Sequence, residues 1–248
     1  MSFPRQTINA PVFTYADAER TGVHRHDTHQ LVYAQSGLLT LFVDNDRWVV
    51  PPLRAVWVPA GTPHELMAHG ATVTRPLYFV PEIDPNGFAD VTVIGVNALL
   101  RELINALGDT DLDVDERTHI EQLIISRLHR IEPQHLRLIE PTDDRLAQIA
   151  SALRVNPADR RTLAQWGSAV GASERTLVRL FTAETGTTFA RWRTQLRLHH
   201  SLVLLCQGST VTNASSRCGY RSTSSFIQQF RAALGTTPGA YLSDLRLG

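Results

Sequence analysis

The sequence contains no lysine; all 24 of its basic residues are arginine, balanced by 24 Asp and Glu. That absence reflects the codon usage of the source genome and carries no functional weight. Cysteine is scarce too. Cys206 and Cys218 each lie in an apolar helical pattern with no base close by in sequence, so they read as buried reduced thiols rather than as a disulfide or a nucleophile. Long apolar runs are missing: nothing approaches the roughly 18 residues that would cross a bilayer, and the opening MSFPRQTINAPVF has no apolar h-region. No membrane partner is expected, and the expected location is the cytosol.

What is present is a divided charge. Residues 1–144 carry 11 Arg against 20 acids, net −9, and residues 145–248 carry 13 Arg against 4, net +9. A basic C-terminal part beside an acidic N-terminal part points one half at a polyanion such as nucleic acid. With 248 residues and 43% apolar content, the chain can bury one large core or two small ones. The patterns favour two. Up to about residue 90, short β-branched and aromatic segments (38–43, 48–50, 55–58) are separated by Gly, Pro, Asn and Asp, as in a small barrel or sandwich. From about Val91 the spacing turns helical, through Val96, Leu99, Leu100, Leu103, Ile104 and Leu107, then Ile120, Leu123, Ile124, Leu128 and Ile131. The loop at 108–116 joins these stripes. Its DTDLDVDE run lacks the glycine and carboxylate of a calcium loop, with Val114 and Ile120 at those positions, and reads as a solvated helix start. The resulting hairpin, within 91–132, either covers the barrel or pairs with a second copy of the chain. Glu140-Pro141-Thr142 is the polar break, so the expected division is 1–90, 91–140 and 141–248, an α+β chain ending in an all-α domain.

That last domain contains a repeat. LFTAETGTTFARW (180–192) and QFRAALGTTPGAY (229–241) align without gaps. A helix-turn-helix precedes each copy. In the first, Leu163–Val170 forms a short helix, Gly171-Ala172 turn, and Ser173 caps a helix with Leu177, Leu180 and Phe181 inward. Gly167 is small where two helices nearly touch. In the second, Ser215 and Gly219 keep the same four-residue relation, and Ser222 caps a helix with Phe226 and Phe230 inward. If those residues are buried, Arg175, Val178 and Arg179 lie outward on one reading helix, and Thr223, Ser224, Ile227 and Gln228 on the other, within reach of base edges. Arg191 and Arg193 are phosphate-contacting candidates, and Arg221 completes the DNA-binding set. Carried mainly by GYRSTSSFIQQFRAALGTTPGAY, residues 145–246 resemble the DNA-binding domain of the AraC/XylS family of transcriptional regulators. The resemblance implies seven helices, a joining helix near Phe189–Cys206, and two recognition helices entering successive major-groove turns of double-stranded promoter DNA. The chain departs from the family pattern at Ser215 (usually Ala), Gln228 (often Arg) and Leu242 (usually Arg).

The N-terminal half has its own motif. HRHDTHQL, residues 24–31, read as an extended strand, places His24, His26, Thr28 and Gln30 on one face and Asp27, His29 and Leu31 on the other. Downstream, PAGTPH ends in His64. The pair, HxHxxxQ followed after six residues by Gly37, then PxGxxH, resembles the metal-binding signature of the cupin superfamily, with Gln30 where Glu is usual and Ala68 where Asn often stands. The resemblance implies a cupin β-barrel in which His24, His26, Gln30 and His64 hold a divalent transition metal, Zn, Ni or Fe. The alternative is that they line a metal-free pocket for an organic effector. His69, His119, His129 and His135 read as surface or helix residues.

Two classes of function follow. One is a homodimeric transcription regulator whose barrel senses a small molecule or metal ion. The other is a metal-dependent cupin enzyme, dioxygenase-like, fused to a DNA-binding domain. The expectation is the first, without catalysis.

Overall fold

The computed structural model describes residues 8–51, 53–85, 87–109, 111–129 and 137–246, with side chains described as far as Ser243. Ile131, Glu132 and His135 lie outside these residues. The chain separates into two units, the first ending at 135 and the second beginning at 136, with Asn45–Arg47 grouped with the second.

The first unit is built on ten strands and two helices. In chain order the strands are β1 (Ile8–Asn9), β2 (Phe13–Tyr15), β3 (His29–Ser36), β4 (Leu39–Val43), β5 (Asp46–Val50), β6 (Arg54–Val58), β7 (Glu65–Ala68), β8 (Thr72–Thr74), β9 (Leu77–Phe79) and β10 (Thr92–Gly95). One sheet runs β1-β9-β3-β6-β10, with β8 also pairing β3 and β2, and a second contains the neighbours β5, β4 and β7. Among the described residues, the pairings of β1, β2, β3, β6, β8, β9 and β10 in the first sheet are antiparallel. Strand β6, Arg-Ala-Val-Trp-Val, is buried at all five positions. Burial on both faces is why its residues 55–58 read as a continuous apolar run rather than as an alternation.

Two helices follow, α1 (Ala98–Leu107) and α2 (Val114–Leu128). Asn97 caps α1 by accepting from Leu100 N, and Asp113 caps α2 in a reciprocal box with Glu116, so the acidic loop serves as a helix start. The helical spacing seen from Val91 overreaches the structure. Residues 92–95 are β10, paired with β6 through Thr92↔Trp57 and its neighbours, because Thr92, Val93 and Ile94 are β-branched and the helix can begin only after the Asn97 cap. The apolar stripes of the hairpin are largely covered: Leu100, Ile104, Leu107, Ile124 and Leu128 share one core with Leu31, Tyr33, Trp57, Leu77, Phe79 and Ile94 of the sheet. The segment 91–129 therefore packs as part of the barrel unit. Leu99 and Leu123 remain exposed.

The second unit opens with a short strand, β11 (Arg137–Ile139), and continues as helices α3 (Asp144–Val155), α4 (Leu163–Val170), α5 (Glu174–Thr185), α6 (Phe189–Cys206), α7 (Val211–Arg217), α8 (Thr223–Leu234) and α9 (Pro238–Arg246). Its first core gathers Leu146, Ile149, Leu153, Trp166, Leu177, Phe181, Trp192 and Leu196. The repeat is visible as geometry. Gly186 and Gly235 end α5 and α8 in the left-handed region, at φ of +65° and +76°, which a residue without Cβ adopts at no steric cost. Thr188 and Thr237 then accept from Arg191 N and Ala240 N to start α6 and α9. Phe181 packs on Trp192, and Phe230 on Tyr241, with ring centroids 5.8 and 5.6 Å apart.

Candidate functional site

The first site forms where two loops meet. His24 and His64 pair as an isolated antiparallel bridge, which sets their rings beside each other at 4.5 Å between centroids. His26 joins at 4.9 Å from His24 and 5.3 Å from His64. One ligand atom from each of the three lies within 4.8 Å of the others. The chain does not run as one strand through 24–31. It bends at Asp27-Thr28, and β3 begins only at His29, so simple alternation does not carry across the segment. His29 nevertheless sits apart from the cluster: its ring stacks on Trp57 at 5.1 Å, its Nδ1 accepts from Ala60 N at 3.1 Å, and its Nε2 lies 3.3 Å from Pro81 O. Gln30 donates from Nε2 to the Tyr78 hydroxyl at 3.0 Å, and the Tyr78 ring meets that of His26 edge-on at 5.0 Å.

The tautomers follow from the backbone. Nδ1 of His24 lies 2.9 Å from Gly22 O, and Nδ1 of His64 lies 2.9 Å from Thr62 O. A carbonyl can only accept, so each Nδ1 carries the proton and each Nε2 keeps its lone pair. Burial pushes the His64 imidazole down to about 4 and also lowers His26, with His24 adding to both effects. Unprotonated imidazoles are the form that binds metals. The buried Nε2 atoms of His26 and His64 and the buried Oε1 of Gln30 have no hydrogen-bond partner within the protein. Buried polar atoms are costly when unmet. These two imidazole nitrogens and the amide oxygen, together with the imidazole of His24, fit a borderline transition ion.

A cavity adjoins this cluster, with Phe13, Tyr78 and Arg117 joining His26 in its wall. Sequence reading did not find these residues, since strands and a helix far apart in the chain bring them together and no local motif marks them. His69 also differs from its surface reading. It is partly buried, with Nε2 2.8 Å from Thr40 Oγ1.

The second site is the pair of helix-turn-helix motifs. In the first, α4 and α5 approach so closely that a Cβ on Gly167 would lie 2.3 Å from Ala172 O. Ala172 N donates to Gly167 O at 3.0 Å, and in the second motif Tyr220 N donates to Ser215 O at 3.1 Å, the same turn closed by the same bond. Ser173 and Ser222 accept from Thr176 N and Ser225 N to cap α5 and α8. Leu177, Phe181, Phe226 and Phe230 are fully buried. Arg175, Val178 and Arg179 are exposed on α5, Ser224 and Gln228 are exposed on α8, and Thr223 and Ile227 are half-buried there. Arg191 and Arg221 are exposed. Arg193 is not free for phosphate in the same way: its guanidinium donates to Arg161 O at 3.0 Å and lies over the Phe189 ring at 4.9 Å. That side chain helps fasten α6 to the loop before α4.

Comparison with known proteins places both halves. A family model described as an AraC-like ligand binding domain matches residues 10–150, and one described as a helix-turn-helix domain matches residues 166–244. The HTH-type transcriptional regulator NimR of Escherichia coli K12 is 34% identical over 229 residues, 90% of this chain and 82% of that protein. RipA of Corynebacterium diphtheriae, an HTH-type transcriptional regulator, is 35% identical over 103 residues, 42% of this chain and 31% of that one. Among solved structures, ToxT from Vibrio cholerae O395 aligns over 96% of this chain and 98% of its own at 12% identity, with a TM-score of 0.41. With an AraC-like ligand binding domain followed by a helix-turn-helix domain, the chain belongs to the AraC family of DNA-binding transcriptional regulators.

Proposed function

We propose that this regulator is switched by a ligand: its barrel holds one divalent transition ion, Zn, Ni or Fe, on His24, His26 and His64 with Gln30 as a further donor, and admits a small-molecule effector beside it. The observation that carries this reading is the convergence of three imidazoles, of which His24 and His64 turn Nδ1 to a backbone carbonyl while the buried Nε2 atoms of His26 and His64 meet nothing within the protein. A bound ion supplies positive charge and coordination positions beyond those the histidines fill. The barrel senses and does not turn over substrate.

In the second unit, Arg175, Val178 and Arg179 of α5 and Thr223, Ser224, Ile227 and Gln228 of α8 read base edges of promoter DNA, while Arg191 and Arg221 contact phosphate. Control requires the bound ligand to favour one arrangement of the DNA-binding unit over another, since equal affinity for both shifts nothing. The protein works in the cytosol as a homodimer, and the exposed Leu99 and Leu123 of the hairpin are the apolar positions the barrel leaves for a second copy. Genomic fragments selected by the purified protein supply its operator. Binding to that operator, measured with the metal-loaded and the chelator-treated protein, then tests the switch: the two affinities are expected to differ, and identical affinities overturn metal control.

A further inference from the structure

The cavity beside the histidine cluster has a volume of about 740 Å³, within the range of small-molecule sites. His26 and Tyr78 form the wall it shares with the cluster, Phe13 and Val80 give apolar surface, and Arg117 reaches in from α2. No Asp or Glu is among its described lining residues. Arg117 is held in place by Nη2 donating to Ile8 O at 3.0 Å and by Glu121, 3.3 Å from its Nε. Glu121 balances that guanidinium from the helix side. The cluster's own donors include no carboxylate: they are three imidazoles and the carboxamide of Gln30, with Asp27 and Glu65 acting on His26 and His24 only from outside the donor set, so the ligands themselves do not neutralise a divalent ion held there. A concave site with a cation on uncharged ligands at one wall and aromatic and aliphatic surface at another selects for an anion on an apolar body.

From this we infer that the effector is a small apolar carboxylic acid, its carboxylate meeting the ion held by the cluster and its apolar body lying against Phe13 and Val80. The inference rests on the metal reading above. The Tyr78 hydroxyl, with its pKa raised by burial, stays protonated and is a donor available to a carboxylate oxygen. Its own place is fixed by Gln30, which donates to it.

The test uses the full-length protein loaded with cobalt(II), whose visible absorption reports its ligands, titrated with phenylacetate, phenylacetamide and acetate. Phenylacetate is expected to change the spectrum at about tenfold lower concentration than either of the other two, a gap of about 1.4 kcal/mol. Phe13→Ala, at an exposed position, is expected to raise its half-saturation several-fold, because apolar contact is removed while the cluster is untouched. Equal response to phenylacetate and phenylacetamide, or equally tight phenylacetate binding by the chelator-treated protein in calorimetry, overturns this inference and leaves the metal reading standing. Failure of cobalt to give a protein-bound spectrum overturns both.

Discussion

His24 and His64 exchange both of their backbone hydrogen bonds, His24 N to His64 O at 2.9 Å and His64 N to His24 O at 2.8 Å. A paired position of this kind holds side chains on one face at close range. It turns two separate sequence motifs into one donor set, and the third imidazole, His26, follows His24 by two residues in the same segment.

Removing either buried donor should therefore abolish uptake of the ion. The wild-type protein, purified without chelator or affinity tag, is expected to bind about one Zn, Ni or Fe per chain, and His26→Ala and His64→Ala none. His29→Ala should keep the ion, since that ring is engaged with Trp57, Ala60 and Pro81. Metal analysis of the dialysed proteins decides it. Loss of the ion in His29→Ala would put the wrong imidazoles in the cluster.

Stability of the metal-free protein should fall with acid. His26, His64 and His69 all have folded pKa values lowered chiefly by burial, that of His64 to about 4, so between pH 6.5 and about 4 the unfolded chain binds protons that the native state refuses. Stability is then present in full above pH 6.5 and is lost as pH drops through this window. Thermal unfolding followed in chelator should show the midpoint falling over that range. A flat profile from pH 7 to 4.5 contradicts the burial of these rings.

For DNA, Arg179→Ala and Gln228→Ala are each expected to weaken binding to the selected operator by about 1–3 kcal/mol and to affect random DNA far less. Arg191→Ala should weaken both alike and lower the salt slope. Arg193→Ala is expected to lower thermal stability as well, because its guanidinium bonds to Arg161 O inside the unit. Equal losses on operator and random DNA for Arg179→Ala would move that residue to the phosphate set.

Gly167→Ala should cost about 1–3 kcal/mol of stability, the usual range for overpacking. The clash is with the backbone oxygen of Ala172, which cannot swing away as a side chain would. Denaturant unfolding measures the loss. An unchanged midpoint would show that α4 and α5 can separate freely at their turn.

Much of the second unit was legible because its information is local. Caps at Ser173 and Ser222, inward Leu177, Phe181, Phe226 and Phe230, and the small Gly167 lie within a turn or two of what they contact, so spacing alone places them. Even there, the partner of Arg193 could not be read, since Arg161 O reaches it across 32 positions of sequence.

The first unit divides the same way, with more left to tertiary structure. Residue types determined that His24, His26, Gln30 and His64 were candidate donors, and β-branched runs determined strands. The pattern failed at 92–95, where Val93 and Ile94 fit a helix or a strand and only pairing with β6 decides. It failed again at the bend of Asp27-Thr28, where the strand of the motif stops. Whether the hairpin faced a partner or its own barrel was also undecided until Leu100, Ile104 and Leu107 were seen against the sheet. The cavity is the extreme case. Phe13, Tyr78 and Arg117 come from β2, β9 and α2, and a wall assembled from long-range contacts leaves no periodicity in the chain. Sequence by itself determined which chemistry could be present, because donor types and helix caps are properties of single residues and near neighbours. Only the fold decided which donors meet and what space they face, because both depend on the closure of a sheet.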